Sequence, residues 1–151
     1  RAGFPGATPL PQGCPWWELK LDLLLPCSIS GLINEEMASA LRVTSVVPAA
    51  NAPFQSPQLA DALRQRGIRV LPDPLVNAGA VIADSIERFS PDAWKDAGAK
   101  DVYSFVREEV RRRATGYLNQ RDQGLSVGAA LNEVAAIPAT VPIGLSVGEA
   151  A

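Results

Sequence analysis

The sequence predicts an α/β fold in which a partial doubly wound parallel sheet is followed by C-terminal helices. Three apolar or β-branched runs of strand length occur at residues 19–28, 42–51 and 68–73. A helical pattern separates consecutive runs, and helical patterns fill most of the remaining chain. Strands that alternate with helices form βαβ units, and right-handed crossovers then make the sheet parallel.

The first unit begins with LKLDLLLPCS at residues 19–28. An apolar run without alternation predicts a strand that is buried on both faces, as in a parallel sheet. Pro26 ends this strand because proline cannot donate to the hydrogen-bond ladder. Asn34 predicts the N-cap of a short helix at residues 35–41. The first turn of this helix holds two glutamates, whose negative charges are stabilised there by the helix dipole.

The second strand, residues 42–51, is rich in β-branched side chains. Ser56 and Pro57 then predict a helix start, because serine is a good N-cap and proline suits the first helical position. Gly67 predicts the end of this helix, and the third strand follows at residues 68–73.

The second half of the sequence is predicted to be helical. Helices are expected at residues 79–89, from Ser90-Pro91 onward, at residues 101–119, and at residues 124–136 with a cap at Ser126. The segment at residues 144–151 repeats the opening of the last helix, which we interpret as reuse of the same capping residues.

The long helix carries charged residues at i,i+4 spacing. We expect Glu108 to pair with Arg112 and Glu109 with Arg113 on its outer face. The basic run at residues 111–113 is therefore interpreted as a solvated helix face and not as a phosphate site.

Composition excludes several classes of function. A net charge of −2 gives no electrostatic case for nucleic acid or an anionic membrane as the main partner. No apolar run approaches the ~20 residues needed to span a bilayer, and no signal peptide is visible. Two cysteines, Cys14 and Cys27, and no histidine argue against a disulfide framework or a metal site. A cytoplasmic location is expected.

Small residues and asparagines follow the predicted strands. The stretches are PCSISG, PAANAPF and PDPLVNAGAV, and they contain Asn51 and Asn77. Ligands of parallel sheets bind outside the carboxyl ends of the strands. An amide both donates and accepts, which suits ribose hydroxyls or a carboxamide. Each stretch taken singly also fits an ordinary turn.

The series LDLLLPCSISGLIN, VVPAANAPFQSP and RGIRVLPDPLVNAGAVI resembles the cofactor domain of the glutamate/leucine/phenylalanine/valine dehydrogenase superfamily. The resemblance spans residues 6–89, and the later helices are consistent with the C-terminal region of that family. It implies a Rossmann-like half-domain. It also implies an NAD- or NADP-dependent L-amino-acid dehydrogenase, which deaminates its substrate reversibly to a 2-oxo acid and ammonia.

The resemblance also implies roles for individual residues. Pro26, Cys27 and Ser28 would line the adenosine-ribose side of the cofactor through their backbone. The Ala50-Asn51 loop would approach the nicotinamide ribose. The cofactor-binding set is completed at the nicotinamide end by two further residues, Asn77 and Gly79.

Two residues after this motif would belong to the substrate pocket. Ala80 stands where the family usually has a second glycine. Asp84 takes the position that helps choose the substrate side chain, where an acid would favour a cationic or hydroxylated substrate. The alternative is that Asp84 is a solvent-facing helix residue.

The chain lacks parts that the family needs for catalysis, so no catalytic residue is assigned. No Gly-x-Gly occurs, although a Gly-x-Gly-x-x-Gly turn normally receives the pyrophosphate. None of the three lysines, Lys20, Lys95 and Lys100, lies in a glycine-rich setting. We therefore expect a second polypeptide, a missing N-terminal half or a homo-oligomer to complete the fold, and the start at Arg1 is read as a sign of a processed chain or a piece of a longer one.

Two other functions stay open at this point: a non-catalytic binding or scaffold subunit that derives from a dehydrogenase, and an unrelated α/β domain. The expected division is an irregular arm at residues 1–15, a partial Rossmann-like domain at residues 16–90 and a helical region at residues 91–151. The sequence does not distinguish NAD from NADP and does not name the amino acid.

Overall fold

The computed structural model describes residues 5–136 and contains a three-stranded parallel sheet and seven α-helices within that range. Two compact units are formed, Arg1–Val70 and Leu71–Ala151. The α/β class predicted from the sequence is confirmed. The division into three regions at residues 15 and 90 stays a prediction.

The first unit contains the whole sheet. Its elements are a 3-10 turn at Trp16–Glu18, β1 at Lys20–Leu24, α1 at Glu35–Ala40, β2 at Arg42–Val46, α2 at Pro57–Gln65 and β3 at Arg69–Val70. The strand order is β1-β2-β3 with both pairs parallel, and Leu24 lies opposite Val46, which lies opposite Val70. Residues 5–15 contain no helix or strand.

The core of the first unit joins strands β2 and β3 to helices α1 and α2. Val43, Val46 and Val70 are buried together with Leu41 and Leu63. Burial of an aliphatic side chain of this size stabilises the fold by about 1.5–3 kcal/mol. Hydrogen bonds from two arginines at the C-terminal end of α2 add to this packing.

These arginines, Arg64 and Arg66, hold α2 to its neighbours. Arg66 donates through Nη1 to the carbonyl of Ala38 at 2.6 Å and through Nη2 to that of Leu41 at 2.7 Å. These carbonyls lie at the end of α1, where backbone acceptors lack helical partners. Arg64 donates to the carbonyl of Val70 from Nε and Nη2.

The expectation that the first strand is buried on both faces is wrong. Leu23 is 48% exposed, and Leu21 and Leu24 are only partly buried. The physical reason is position, because within residues 5–136 β1 is an edge strand that pairs with β2 alone. The strand also ends at Leu24, earlier than the run of apolar residues suggested.

The helix starts in the first unit follow the sequence signals in part. The side chain of Asn34 accepts a hydrogen bond from the backbone N–H of Met37 at 2.8 Å, as predicted. Helix α2 starts at Pro57, but Ser56 makes no side-chain cap bond. The start there is set by the fixed φ of proline.

The described part of the second unit, residues 71–136, is mainly helical. Its elements are α3 at Asp73–Val76, α4 at Gly79–Phe89, α5 at Pro91–Asp96, α6 at Ala99–Asp122 and α7 at Val127–Ala136. Helix α4 has the predicted bounds, and the hydroxyl of Ser126 accepts from Ala129 N–H at 3.2 Å as predicted for the α7 cap. The short α3 was not predicted. The repeat at residues 144–151 lies outside the described residues.

The starts of α5 and α6 differ from the sequence expectation. Ser90 makes no side-chain cap bond, although α5 begins at Pro91. Helix α6 begins two residues before Asp101, whose carboxylate accepts from the N–H of Gly98 at 3.2 Å. This carboxylate lies in the first turn, where the helix dipole favours it.

A helical glycine and a turn glycine should respond oppositely to alanine. Gly116 lies inside α6, and a Cβ there would be 3.6 Å from Cγ2 of Val134, an ordinary contact. Gly67 follows α2 with φ +81° and needs a left-handed backbone. We expect Gly116→Ala to raise the free energy of unfolding by ~0.5–1 kcal/mol and Gly67→Ala to lower it by ~1 kcal/mol. Urea unfolding of both variants measures this. A loss of stability in Gly116→Ala would show that Val134 cannot accommodate the methyl group.

Candidate functional site

The loops after β1 and β2 are joined by backbone hydrogen bonds. The carbonyl oxygen of Pro26 accepts from the N–H of Ala49 at 2.9 Å and of Ala50 at 2.8 Å. Pro26 and Ala50 are buried, whereas Cys27 and Ser28 are exposed. The structure therefore brings together these residues from two of the three stretches singled out in the sequence. We call residues 26–28 and 49–51 the loop ledge.

The segment around Asn51 is held by contacts on both sides. The hydroxyl of Ser30 donates to the carbonyl of Asn51 at 2.8 Å, and Gly31 N–H donates to the carbonyl of Ala52 at 2.8 Å. Ala52 has φ +41°, which is uncommon for a residue with a side chain. Asn51 itself is exposed at the surface of this fixed turn.

Asn77 and Gly79 lie in the second unit, at the junction of α3 and α4. Asn77 is the C-cap of α3, and its N–H donates to the carbonyl of Asp73 at 2.9 Å. A Cβ on Gly79 would lie 3.4 Å from Cγ1 of Val106. Gly79 thus lies at the contact between α4 and α6.

Ala80 and Asp84 both lie on α4 and are exposed in this chain. Ala80 is the second residue of the helix, where alanine is favourable. The proposed substrate-pocket role of both residues stays a prediction.

A cavity of about 450 Å³ lies among the helices of the second unit. Most of its wall is apolar and includes Ala78, Ile82, Ile86, Phe105 and Leu131. Glu109 and Arg113 of α6 also line it. The sequence analysis did not anticipate this cavity, because residues from α3, α4, α6 and α7 meet only in the folded unit.

Of the two charge pairs expected on α6, the pair of Glu109 with Arg113 is confirmed, but the other pair and the expected solvent exposure are wrong. Glu108 pairs with Arg111 and not with Arg112. Glu109 is only 8% exposed and is not on a solvated face. It accepts from Nε and Nη2 of Arg112 at 3.0 and 2.8 Å and from Nε of Arg113 at 2.6 Å. We call these three residues the ion triplet.

The ion triplet changes the acidity of Glu109. Burial raises the pKa of this carboxyl, but hydrogen bonds and charge attraction from Arg112 and Arg113 outweigh burial and lower the pKa below its ordinary value of 4.5. The pKa of Arg112 is raised by its hydrogen bond to Glu109. The charged forms are therefore favoured by the fold.

Two classes of site find no support in the described part of the chain. Among residues 5–136, no group of three His, Cys, Asp or Glu side chains could hold a metal ion. In the same range, every helix is too short or too polar to cross a bilayer.

A sequence model of the family described as Glutamate/Leucine/Phenylalanine/Valine dehydrogenase matches residues 3–140. The chain belongs to this family. The resemblance inferred from the three strand-end stretches is confirmed.

Similar proteins include amino-acid dehydrogenases with different named substrates. Identity is 33% over 99 residues to phenylalanine dehydrogenase of Lysinibacillus sphaericus, a match that covers 65% of this chain and 26% of that protein. It is 36% over 86 residues to NADP-specific glutamate dehydrogenase A1 of Halobacterium salinarum, with 57% and 20% covered. It is 39% over 82 residues to valine dehydrogenase of Streptomyces albus, with 53% and 22% covered. The chain thus spans about a fifth to a quarter of the length of these curated relatives.

Solved structures support the fold. L-tryptophan dehydrogenase from Nostoc punctiforme matches with a TM-score of 0.65 and 21% identity, covering 79% of this chain and 34% of that one. A hetero-hexameric glutamate dehydrogenase from Thermus thermophilus in a leucine-bound form matches with a TM-score of 0.69 and 20% identity, covering 86% and 32%.

The ion triplet predicts an acid-sensitive second unit. The pKa of Glu109 is lowered in the folded state, so its contribution to stability is complete above its unfolded pKa near 4.5 and is lost as the pH falls through the lower folded value. We expect Glu109→Gln to reduce stability at pH 7 by ~1–3 kcal/mol and to flatten this acid dependence, because two guanidinium groups lose their anion.

Urea unfolding between pH 3 and pH 7 tests this expectation. The matched control is Glu108→Gln, whose side chain is about half exposed and pairs with a more exposed Arg111. It should change stability by less than ~0.5 kcal/mol at pH 7. Equal losses at pH 7 in the two variants would contradict a special role of Glu109.

Proposed function

We propose that this chain forms the nicotinamide side of the NAD(P) site of an L-amino-acid dehydrogenase, which converts an amino acid reversibly to a 2-oxo acid and ammonia. The observation that carries the proposal is the loop ledge, in which the carbonyl of Pro26 binds the N–H groups of Ala49 and Ala50. It fixes two strand-end loops beyond the carboxyl ends of parallel strands, where ligands of such sheets bind.

The residues of the loop ledge fit one wall of a dinucleotide site. Its base is buried backbone, and its exposed surface carries Cys27, Ser28 and Asn51. Small side chains leave room for a flat ligand, and the amide of Asn51 has the donor and acceptor that a ribose diol requires. A bound cofactor would supply hydride transfer, while Cys27 and Ser28 would line its adenosine-ribose side and Asn51 would orient the nicotinamide ribose.

The second unit offers the residues that would approach the carboxamide and the substrate. Asn77 is fixed at the C-cap of α3, and Gly79 begins α4 without a side chain. Further along α4, Ala80 and Asp84 are exposed. We propose that they face the substrate side chain in the complete enzyme, with Asp84 favouring a cationic or hydroxylated amino acid.

The relatives leave the choice between NAD and NADP open. One relative is named as NADP-specific and another, from Staphylococcus aureus, as NAD-specific. The group that reads the ribose 2′ position follows an earlier strand of such a domain. We therefore propose NAD or NADP without distinguishing them.

Activity is proposed to require a missing N-terminal half, another polypeptide or further copies of the chain. The sequence contains no Gly-x-Gly for a pyrophosphate. The edge strand β1 exposes Leu23, and Leu25 just beyond it is 53% exposed. An edge strand with exposed apolar residues is suited to pairing with another strand. The hetero-hexameric assembly named for the T. thermophilus enzyme is consistent with this arrangement.

A second candidate is a non-catalytic subunit that acts as a binding or scaffold protein. It is favoured by Ala80, which replaces the usual second glycine, and by the lack of a glycine-flanked lysine in the sequence. The two candidates differ in whether the assembled protein oxidises amino acids.

The assembly can be tested on protein isolated from its own source. We expect native mass spectrometry to show this chain bound to a second polypeptide, and the assembled sample to reduce NAD or NADP with an amino acid in a panel. Denaturing the same sample identifies the partner. A protein that contains only this chain and is inactive across the panel would contradict the dehydrogenase proposal and favour the scaffold role.

Asn51 can be tested on the active assembly. We expect Asn51→Ala to raise the KM for the cofactor by about tenfold, which corresponds to the loss of one or two hydrogen bonds. The control is Asn119→Ala, an exposed asparagine of α6 that should leave the KM unchanged. Thermal melting of both variants checks folding. An unchanged cofactor KM in a folded Asn51→Ala assembly would remove Asn51 from the site.

A further inference from the structure

The turn that carries Asn51 has an unfavourable backbone conformation. Among the described residues other than glycine, Ala52 alone has a positive φ, at +41°. A left-handed backbone is unfavourable for a residue with a side chain. Ala52 also precedes Pro53, and proline favours an extended backbone in the residue before it. Such a conformation persists only where neighbouring contacts hold it, and strain of this kind is concentrated at functional sites.

Two consecutive residues of the loop after β1 hold this turn. The hydroxyl of Ser30 donates to the carbonyl of Asn51 at 2.8 Å, and the N–H of Gly31 donates to the carbonyl of Ala52 at 2.8 Å. Residues 30 and 51 are 21 positions apart, so the hydrogen bond joins two separate loops. The donor of Ser30 is a side-chain group, and a substitution can therefore remove this contact without changing the backbone.

The bond from Ser30 lies between two buried anchors of the same loops. On one side, the carbonyl of Pro26 binds the N–H groups of Ala49 and Ala50. On the other side, the N–H of Ile33 donates to the carbonyl of Pro53 at 2.9 Å, and both of these residues are fully buried. Residues 51 and 52 between the anchors are exposed. Ser30 thus acts on the exposed part of the turn, where a ligand would bind.

We propose that Ser30 is a positioning residue for the cofactor and acts through Asn51. This inference rests on the function proposed for the loop ledge. The hydrogen bond fixes the peptide group that follows the Cα of Asn51, so the amide side chain starts from one backbone conformation. The nicotinamide ribose then meets an amide that is already oriented, and less conformational freedom is lost on binding.

Two other roles of Ser30 make different predictions. A hydrogen bond with a structural role alone would change stability but not the cofactor affinity of the folded protein. A hydroxyl that touched the cofactor directly would contribute to affinity whether or not residue 51 carries an amide. A positioning residue, in contrast, loses its effect on affinity when the side chain that it positions is removed.

The test is a double-mutant cycle on the assembled protein, with NADH and NADPH as probes. Dissociation constants are measured from the fluorescence of the reduced nicotinamide. We expect Ser30→Ala to weaken binding by about threefold to fivefold, as for the loss of one hydrogen bond. In the Asn51→Ala background, the same substitution should have no further effect. The kcat at saturating cofactor should not change, because Ser30 does not touch the reacting atoms.

Two further variants are matched controls. Ser30→Thr keeps a hydroxyl at this position and should bind the cofactor as the unchanged assembly does. Ser39→Ala removes a similar hydrogen bond in α1, where the hydroxyl donates to the carbonyl of Glu36 at 2.7 Å, and should also leave affinity unchanged. Thermal melting separates stability from affinity. Ser30→Ala should lower the Tm equally with and without the Asn51 amide, because its acceptor is a backbone carbonyl.

Hydrogen exchange provides a second measurement that needs no cofactor. Ser30 is exposed, so removal of its hydroxyl leaves no cavity and the full chain should still fold. Exchange at residues 49–52 should become faster in Ser30→Ala and stay unchanged in Ser39→Ala. An unchanged exchange rate in Ser30→Ala would show that the hydroxyl does not hold the turn, and would overturn the proposal.

The outcomes of the binding experiment separate this proposal from the proposed function. If the unchanged assembly binds neither NADH nor NADPH, the proposed function fails and the role of Ser30 fails with it. If the unchanged assembly binds one of them and Ser30→Ala binds it as tightly, only the role of Ser30 is overturned. Equal weakening by Ser30→Ala with and without the Asn51 amide would also overturn it, because the effect would not pass through Asn51.

Discussion

The first unit depends on the parallel pairing of β2 with strands on both sides. This is the only strand of the described sheet that has two neighbours, and its Val43 and Val46 are both buried. Parallel strands need a crossover between them, and α1 and α2 supply the two crossovers. Because the strands run in the same direction, the loops that leave β1 and β2 emerge at one edge of the sheet. The position of the proposed cofactor wall therefore follows from strand pairing.

Backbone groups, more than side chains, fix that wall. A single carbonyl, on Pro26, holds two N–H groups of the neighbouring loop, and the carbonyls of Asn51 and Ala52 are held by Ser30 and Gly31. A site made this way tolerates changes of side chain while its shape is kept.

In both units, arginine side chains form hydrogen bonds to residues that are distant in the sequence. Arg66, at the end of α2, donates a hydrogen bond to the carbonyl of Ala38 in α1. Arg113 of α6 donates one to the carbonyl of Val134 in α7. Both arginines lie in polar stretches of the sequence and would be taken as surface residues. Their acceptors are backbone carbonyls 28 and 21 residues away. Spacing along a helix could not reveal either bond, and for the same reason the i,i+4 rule gave Glu109 a solvated position that it does not have.

The sequence by itself determined the α/β class, the parallel sheet, the family and most helix starts. These depend on signals within a few residues: apolar runs, the Asn34 cap, and proline at the first turn of α2 and α5. Only the tertiary structure decided that β1 is a partly exposed edge and that Asp73–Val76 forms a separate helix. It alone also revealed that Glu109 is buried beside a cavity. Burial is a property of neighbours that are distant in the chain, so no local pattern specifies it.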